Sequence, residues 1–478
     1  MGVTCLLASC NSWLEVKPDD RIMDEELFGD KEGYMTALNG IYSELNRPSL
    51  YGANLTMGMM DVLAQYYDCS SSMHPYSKFM NYSYEQDECK ERFESIWQGM
   101  YELIANCNVI LEQCGDGNAV LPEVYYRMIK GESLALRAML HFDLLRMFGP
   151  IYNEENKGTA CIPYMKVADK TVQPLLGADK ILEYVLADLE EAKGLLEPVD
   201  PVIANGAENV EAPQGNNDMN YRPYRLNYFA VKALMARAYL WGGDKTNAGK
   251  YAREVIDAVT NENKPLFPLI TYSYINSWSD NVFSPEVLFG LHNTSRTSAV
   301  YNTFFVSTLQ SDKILTMAGD YASGRIHVVY DDENDIRYGM WKAAVEDGRE
   351  FVYFEKYKQI NTYAFSYVIP MMRTGEMYLI AAECEDNVRN ALDKYINPLR
   401  LSRHCVDLDA STEEELEKLI QWETFRDLIG EGQMFYYYKR KAMQNIPNGG
   451  VVNGVRNISL NSYVFPLPDS EISQRTDN

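Results

Sequence analysis

The sequence predicts a mainly α protein: a scaffold of helical hairpins, a large loop-rich half and a few short strands. Three observations predict it. Several segments repeat apolar residues at helical spacing and stop at glycine. Small residues share those apolar faces with large ones, which lets helix hairpins stack closely, as in tetratricopeptide repeats. Two other stretches, 200–224 and 264–370, lack a helical period. No fixed 34-residue period appears, so the hairpins are degenerate rather than a regular array.

The chain opens on a short apolar run, "LLASCNSW" at residues 6–13. A membrane-spanning helix needs about 20 apolar residues, and this run is far shorter. It reads instead as the end of an export signal, with Leu7-Ala8-Ser9-Cys10 as a lipoprotein box and Cys10 as the acylated residue. Residues 1–9 are then the remnant of a signal peptide, and 10–478 form one domain. Its helical scaffold is expected over 35–260 and 370–445, and its loop-rich, ligand-binding half over 50–90 and 264–370.

Residues 92–113 read as a helix ended by Gly115 and Gly117. In "GESLALRAMLHFDLLRMFGP", Leu134, Ala138, Phe142, Leu145 and Phe148 lie on one face, and Gly149-Pro150 stops the helix. Residues 200–224 are polar and rich in Pro, Asn and Gly, an inserted loop. "YRLNYFAVKALMARAYLWGGD" repeats the helical design, with Leu226, Ala230, Leu234, Ala238 and Trp241 on a face, and "KTNAGKYAREVIDAV" follows as its antiparallel partner. Within 264–370, "EVLFGLH" and "REFVYFEKY" alternate as short strands do. "MMRTGEMYLIAAECE" and "NALDKYINPLRLSR" make a late helix pair. "STEEELEKLIQWETFRDLIGEG" is the last strong helix, with acids crowding its first turn as the helix dipole favours.

Asp and Glu total 68 against 44 Lys and Arg, a formal net charge of -24. That balance repels phosphate backbones and argues against nucleic-acid binding. Tyrosine occurs 35 times and phenylalanine 17; the tyrosine excess suits polar, wet ligands, because the ring offers an apolar face and a hydroxyl. Beyond Cys5 and Cys10, seven cysteines remain at irregular spacing, with no C-x-x-C, which is neither a disulfide framework nor a zinc site. At most Cys69 and Cys89 close a loop. No H-E-x-x-H, G-x-S-x-G or Walker loop occurs, so no catalytic residue, metal or cofactor is assigned. His141 reads as a core histidine. Asp331, Glu333 and Asp335 alternate as calcium ligands can, but no glycine sits at the sixth loop position and no acid closes the loop, so a solvated acidic turn is expected.

Several segments, in order, resemble the SusD/RagB family of outer-membrane nutrient-binding lipoproteins of Bacteroidota. "CNSWLEVKPDD" resembles the mature start and "GYMTALNGIYSEL" the first helix. "ESLALRAMLHFDLLRMFGPIY" is similar to the family's most distinctive helix, with Arg137, Phe142, Phe148 and Gly149 in matching places. "NDIRYGMW" resembles its Asp-x-Arg turn at Asp335 and Arg337, "MRTGEMYLIAAECE" with "INPLRLSR" its late helices, "FRDLIGEGQMFYYYKRK" its Glu-Gly segment, and "YVFPLPDSEISQ" its close. The chain departs at "WETFRD" and at "FYYYKRK", which replaces a Trp-Asp-Leu run. The resemblance implies a non-catalytic glycan binder, lipid-anchored at the outer membrane and facing the exterior. It also implies a partner, a SusC-like TonB-dependent transporter. A peptide-binding member of the family is the alternative, and a glycoside hydrolase a more distant one.

Sugars have flat apolar faces edged by hydroxyls, so a glycan site needs aromatic rings beside amide and charged groups. Two segments supply both. "QYYDCSSSMHPYSKFMNYSYEQD" carries Tyr66, Tyr67, Tyr76, Asn81 and Tyr82, with Phe79, Tyr84, Asp68 and Gln65 nearby. "LITYSYINSWSDNVF" carries Tyr274 and Trp278 beside Tyr272, Asn276, Asp280 and Asn281, and continues to Arg296, Tyr301 and Asn302. In the resembling family, binding residues come from loops in these two regions. Tyr66, Tyr67, Tyr76, Asn81, Tyr82, Tyr274, Trp278, Arg296 and Tyr301 are the expected glycan-binding residues, with Trp278, Tyr82 and Tyr301 as an aromatic platform.

Overall fold

The computed structural model describes residues 27–168, 171–207, 217–346 and 348–476. Cys10 and the lipoprotein box lie outside them. Helices dominate. Helix α1 (Lys31–Glu44) starts at Asp30, whose side chain accepts the Gly33 amide at 2.9 Å. It packs on α2 (Asp87–Cys114) and α3 (Glu123–Phe148). From there each helix packs on the next: α2 on α3, α3 on α4 (Ala178–Leu196), α4 on α5 (Tyr228–Trp241), and α5 on α6 (Lys245–Ile256). Helix α6 packs on the later helix Thr374–Glu383, which in turn meets Glu413–Asp427. This succession of antiparallel hairpins is the expected tetratricopeptide-like scaffold. Among the described residues no helix is long and apolar enough to cross a membrane.

The close crossings depend on small residues. Ala138, Ala230, Ala238 and Ala382 are all fully buried. A Cβ on Gly249 of α6 would lie 2.9 Å from the Cys384 Cβ, closer than two carbons can pack, so glycine is required there. Arg137 knits three helices together. Its guanidinium grips Asp188 of α4 in a fork at 2.7 and 2.8 Å and donates to Asn108 of α2 at 2.9 Å. His141 is the core histidine expected. Its Nε2 accepts the Met165 amide at 3.0 Å, which leaves Nδ1 to donate to the Arg137 carbonyl at 2.9 Å, and burial lowers its pKa to about 3.

Several boundaries differ from the sequence reading. Leu226 precedes α5 instead of sharing its face, because Asn227 caps the helix by accepting the Phe229 and Ala230 amides at 3.0 Å. Residues 371–373 finish a strand before their helix begins at Thr374. The 200–224 insertion is pinned at both ends: buried Arg222 forks onto Asp200 at 2.9 Å and reaches Glu132 at 2.6 Å. Cys69 and Cys89 are both free and buried, so they close no loop.

Among the described residues the strands come in four antiparallel pairs. Pair β1–β2 is Ala160–Ile162 with Leu176–Gly177, β3–β6 is Val287–His292 with Val368–Arg373, β4–β5 is Trp341–Glu346 with Arg349–Phe354, and β7–β8 is Asn445–Pro447 with Val455–Asn457. Strands β3 and β5 fall on the two alternating runs read from the sequence.

A buried ionic web joins this loop-rich part to the helices. Arg337 forks onto Asp335 at 2.9 and 2.7 Å and reaches Glu423 at 3.0 Å and Asp427 at 3.2 Å. Arg403 bonds Asp427 at 2.8 Å and Glu286 at 2.8 Å. Arg373 meets Glu286 at 3.1 Å and Glu431 at 2.8 Å, and Lys356 closes on Glu431 at 2.6 Å. The acidic turn is solvated only in part: Asp331 and Glu333 are exposed, Asp331 pairing with Arg400 and Arg426, whereas Asp335 is buried in this web.

The web makes the protein acid-sensitive. Burial pushes the Glu423 carboxyl up, but Arg337, Arg426 and Arg400 outweigh it and hold its pKa at about 2. Burial likewise opposes Glu383, which Arg440 and Lys441 hold at about 2. Both values lie below the ordinary glutamate value of about 4.3. The unfolded chain thus binds protons first, and these carboxylates contribute stability that is complete above about pH 4.5 and lost as the pH falls toward 2. Circular dichroism on acid titration should show unfolding within that window. A protein still folded at pH 2 would refute this account.

Candidate functional site

An open cleft of about 620 Å³ lies between the 200–224 insertion and the loops flanking β3 and β6. Its rings are Tyr221, Tyr224, Tyr274 and Phe365. Four prolines, Pro223, Pro265, Pro268 and Pro285, build much of the wall. Tyr221 adopts a left-handed backbone, φ 56°, rare for a ring-bearing residue. Its ring lies parallel to that of Tyr224, with centroids 6.1 Å apart and planes 11° from parallel.

Trp278 stands beside the cleft. Although its stretch shows no helical period, residues Tyr272–Trp278 form a two-turn helix. The Thr271 hydroxyl starts it by accepting the Tyr274 amide at 3.2 Å. Tyr274 and Ile275 turn partly inward while Trp278 stays 43% exposed. Its indole lies 6.2 Å from the Tyr274 ring and 5.3 Å from Tyr363, the latter edge to face at 74°. Tyr363 in turn lies 5.6 Å from Phe365. Trp278, Tyr363, Tyr274 and Phe365 thus make a continuous aromatic surface running from solvent into the cleft.

Two side chains hold that surface in place. Asn361 donates to the Trp278 carbonyl at 3.2 Å and accepts the Tyr363 amide at 3.0 Å and the Ser366 hydroxyl at 2.9 Å. It therefore ties the two ring-bearing loops to each other. Arg296 is buried behind the wall and donates to the carbonyls of Val368 at 2.8 Å and Phe365 at 3.3 Å. Burial lowers its pKa to about 10, partly offset by the Tyr357 ring and Asp280. Asp280 is buried too and organises the turn that follows it by accepting the amides of Val282 at 3.1 Å and Ser284 at 2.8 Å.

The expected binding residues divide sharply. Tyr274 and Trp278 meet at the cleft. Arg296 supports it from behind, with one guanidinium nitrogen donating to the Phe365 and Val368 carbonyls. Tyr66 and Tyr67 are fully buried: the Tyr66 ring packs 4.1 Å from Phe425 and its hydroxyl donates to the Phe425 carbonyl at 2.8 Å, while the Tyr67 hydroxyl donates to Asp61 at 3.3 Å. Tyr76 is covered by Arg92, 4.7 Å above its ring, and Tyr301 is buried as well. These four rings are core, because the loops that carry them fold inward instead of lying on the surface. Asn81 is exposed and accepts from Arg456 at 2.8 Å, and Arg456 also covers the half-buried Tyr82 ring at 5.4 Å. Tyr82 packs against Tyr84, not Trp278, so the proposed trio of Trp278, Tyr82 and Tyr301 is not one platform.

Tyr221, Tyr224, Tyr363 and Phe365 were missed. Their signal was in the sequence, as aromatic residues among polar ones in "NYRPY" and "NTYAFSY". The first stretch lies in the inserted loop; the second lies within 264–370, the half expected to bind ligand, but its rings are not among the residues expected there.

Comparison with known proteins bears on the whole chain. Residues 12–200 match the model of a family described as starch-binding and associating with the outer membrane. Residues 338–477 match the model of the SusD family. SusD-like protein P38 of Formosa agariphila is 22% identical, covering 97% of this chain and 93% of that protein. SusD-like protein P25 of the same organism is 23% identical, covering 88% and 83%. Among solved structures, a SusD superfamily protein of Bacteroides thetaiotaomicron superposes with a TM-score of 0.73 at 22% identity, over 93% of this chain and 98% of that one. A SusD-like carbohydrate-binding protein of Bacteroides vulgatus gives 0.72 at 18%, over 94% and 97%. Surface glycan-binding protein A of B. thetaiotaomicron gives 0.63 at 17%, over 94% and 98%. With these models matching both ends of the chain and the fold shared along its length, the chain belongs to the SusD family.

Proposed function

We propose that this protein is a non-catalytic, lipid-anchored glycan-binding protein of the outer membrane, facing the cell exterior and handing oligosaccharides to a SusC-like TonB-dependent transporter. The observation that carries the binding function is the exposed indole of Trp278, set against Tyr363 and leading into a ring-lined cleft. Exposed rings that adjoin one another mark interaction sites, whereas single exposed rings are ordinary. The family descriptions and the names of the relatives, which speak of starch, carbohydrate and surface glycans, support a glycan as that contact. Transfer to a transporter rests on family resemblance, and the anchor at Cys10 on the short apolar run that ends at Leu7-Ala8-Ser9-Cys10.

Affinity electrophoresis on a polysaccharide panel tests the binding. Retardation without product release supports it, and no retardation on any glycan counts against it. Stacking a sugar on the indole contributes about 1–2 kcal/mol by analogy with other apolar burial, and each 1.4 kcal/mol is about tenfold in affinity. Trp278→Ala should therefore weaken the retained glycan roughly tenfold by calorimetric titration. Its melting temperature should barely change, because the ring is only partly packed. Unaltered affinity removes Trp278 from the site.

The anchor has its own test. Cys10→Ala should move the protein from the membrane to the soluble fraction when cells are fractionated. Unchanged partitioning would show that Cys10 does not hold it there.

A further inference from the structure

The aromatic surface and the cleft beside it differ in chemistry. The surface lies in water, where a sugar keeps most of its hydroxyls hydrated. The cleft is walled by prolines, which have no N–H to donate, together with Ala364, Val287 and Phe365. Beside the hydroxyls of Tyr221, Tyr224 and Tyr274, its other polar side chains each already bond within the protein. Asn205 donates to the Pro201 carbonyl at 3.0 Å. The Thr260 hydroxyl oxygen accepts the amides of Glu262 and Lys264 at 3.2 and 3.3 Å. The Lys264 ammonium bonds Glu262 at 2.7 Å, and Ser284 serves Asp280. Among the described residues, Lys264 is the one charged residue in the lining.

A free sugar ring entering this space would leave several hydroxyls without partners, and unpaired polar groups resist burial. A ring whose hydroxyls are capped would not. The volume, about 620 Å³, falls within the range of small-molecule pockets and admits a substituted sugar residue. The cleft is also continuous with the proposed binding surface, since Tyr274 lines the cleft and lies 6.2 Å from Trp278.

We propose that the cleft receives a neutral sugar residue carrying apolar O-substituents, acyl or alkyl, while the adjoining residues of the same glycan lie on Trp278 and Tyr363. This rests on the glycan-binding reading above. It makes the protein selective for substituted glycans over bare ones.

Ligand-observed NMR on the full chain tests it with three probes: methyl β-D-glucopyranoside, its tetra-O-acetyl derivative and its tetra-O-methyl derivative. At least one capped probe should bind ten-fold or more tightly than the uncapped one. Preference for the acetate alone assigns acyl groups, and preference for the methyl ether alone assigns alkyl groups. Ala364→Asp places a carboxylate on the exposed cleft wall and should erase that preference without lowering the melting temperature. Equal binding of all three probes, no binding of any, or a preference that survives Ala364→Asp would overturn the proposal. So would displacement of the capped probe by a hexaproline peptide at lower concentration, which would assign a peptide occupant. Polysaccharide retardation, run in parallel, separates the two ideas. Retained retardation with no preference for capped probes sinks only this inference, whereas lost retardation sinks the glycan reading itself.

Discussion

Asp427→Ala is expected to cost about 3–5 kcal/mol of stability, the range found when one partner of a buried ion pair is removed. Asp427 is fully buried and faces three guanidiniums, those of Arg403, Arg373 and Arg337. Burial alone would raise its pKa, but these arginines hold it well below the usual carboxylate range. Alanine would take away the one carboxylate that all three share, leaving their charge less compensated in a place water does not reach. Total stabilities of about 5–15 kcal/mol are usual, so the variant should unfold at markedly lower urea, or accumulate poorly. Asp427→Asn keeps the shape and removes only the charge, and it should recover little. Equilibrium urea unfolding measures both. A loss under 1 kcal/mol for alanine would show that the web is solvated after all.

Lys439→Met should cost about 2–4 kcal/mol, for a reason that begins with Pro150. Helix α3 ends at Phe148, and proline four residues after Arg146 has no N–H to return to the Arg146 carbonyl. Lys439 supplies the missing donor. Its Nζ, fully buried, reaches the carbonyls of Arg146 at 2.7 Å, Met147 at 3.3 Å and Gly149 at 2.7 Å. Burial lowers its pKa to about 7, and the amine donates in either protonation state. The Met147 carbonyl also accepts the Phe465 amide at 3.1 Å and would keep a partner. The Arg146 and Gly149 carbonyls would be orphaned, each at about 1–3 kcal/mol. Methionine fills nearly the same volume, so a loss in urea unfolding reports the hydrogen bonds and not a cavity. An unchanged midpoint would mean that water replaces the ammonium.

The scaffold was legible because its signals are local. Phe142 and Phe148 are four and three residues from their neighbours on the helix face, and Gly149-Pro150 ends the helix whatever surrounds it. The same holds for β3 and β5, whose alternation is a property of a few adjacent residues. Errors came where a side chain redirected the backbone, as Asn227 did in starting α5 after Leu226.

The binding residues were less legible, and the reason is physical. A tyrosine among polar neighbours has the same local sequence whether its ring lies on the surface or under a loop. Tyr66 and Trp278 sat in similar aromatic, polar stretches, yet one hydrogen-bonds Phe425, 359 residues away, and the other is left in solvent. Charge was equally ambiguous. Arg296 and Asp335 read as surface groups, but packing turned Arg296 onto the carbonyls of Val368 and Phe365 and put Asp335 against Arg337. The sequence by itself determined the helices, where most of them stop, the acidic balance and the family pattern, because each follows from residues close in the chain or from composition. Only the tertiary structure decided which rings face the cleft, which acids are paired and that Tyr221, Tyr363 and Phe365 belong beside Tyr274. Burial depends on what distant segments bring to each residue, and no local spacing encodes that.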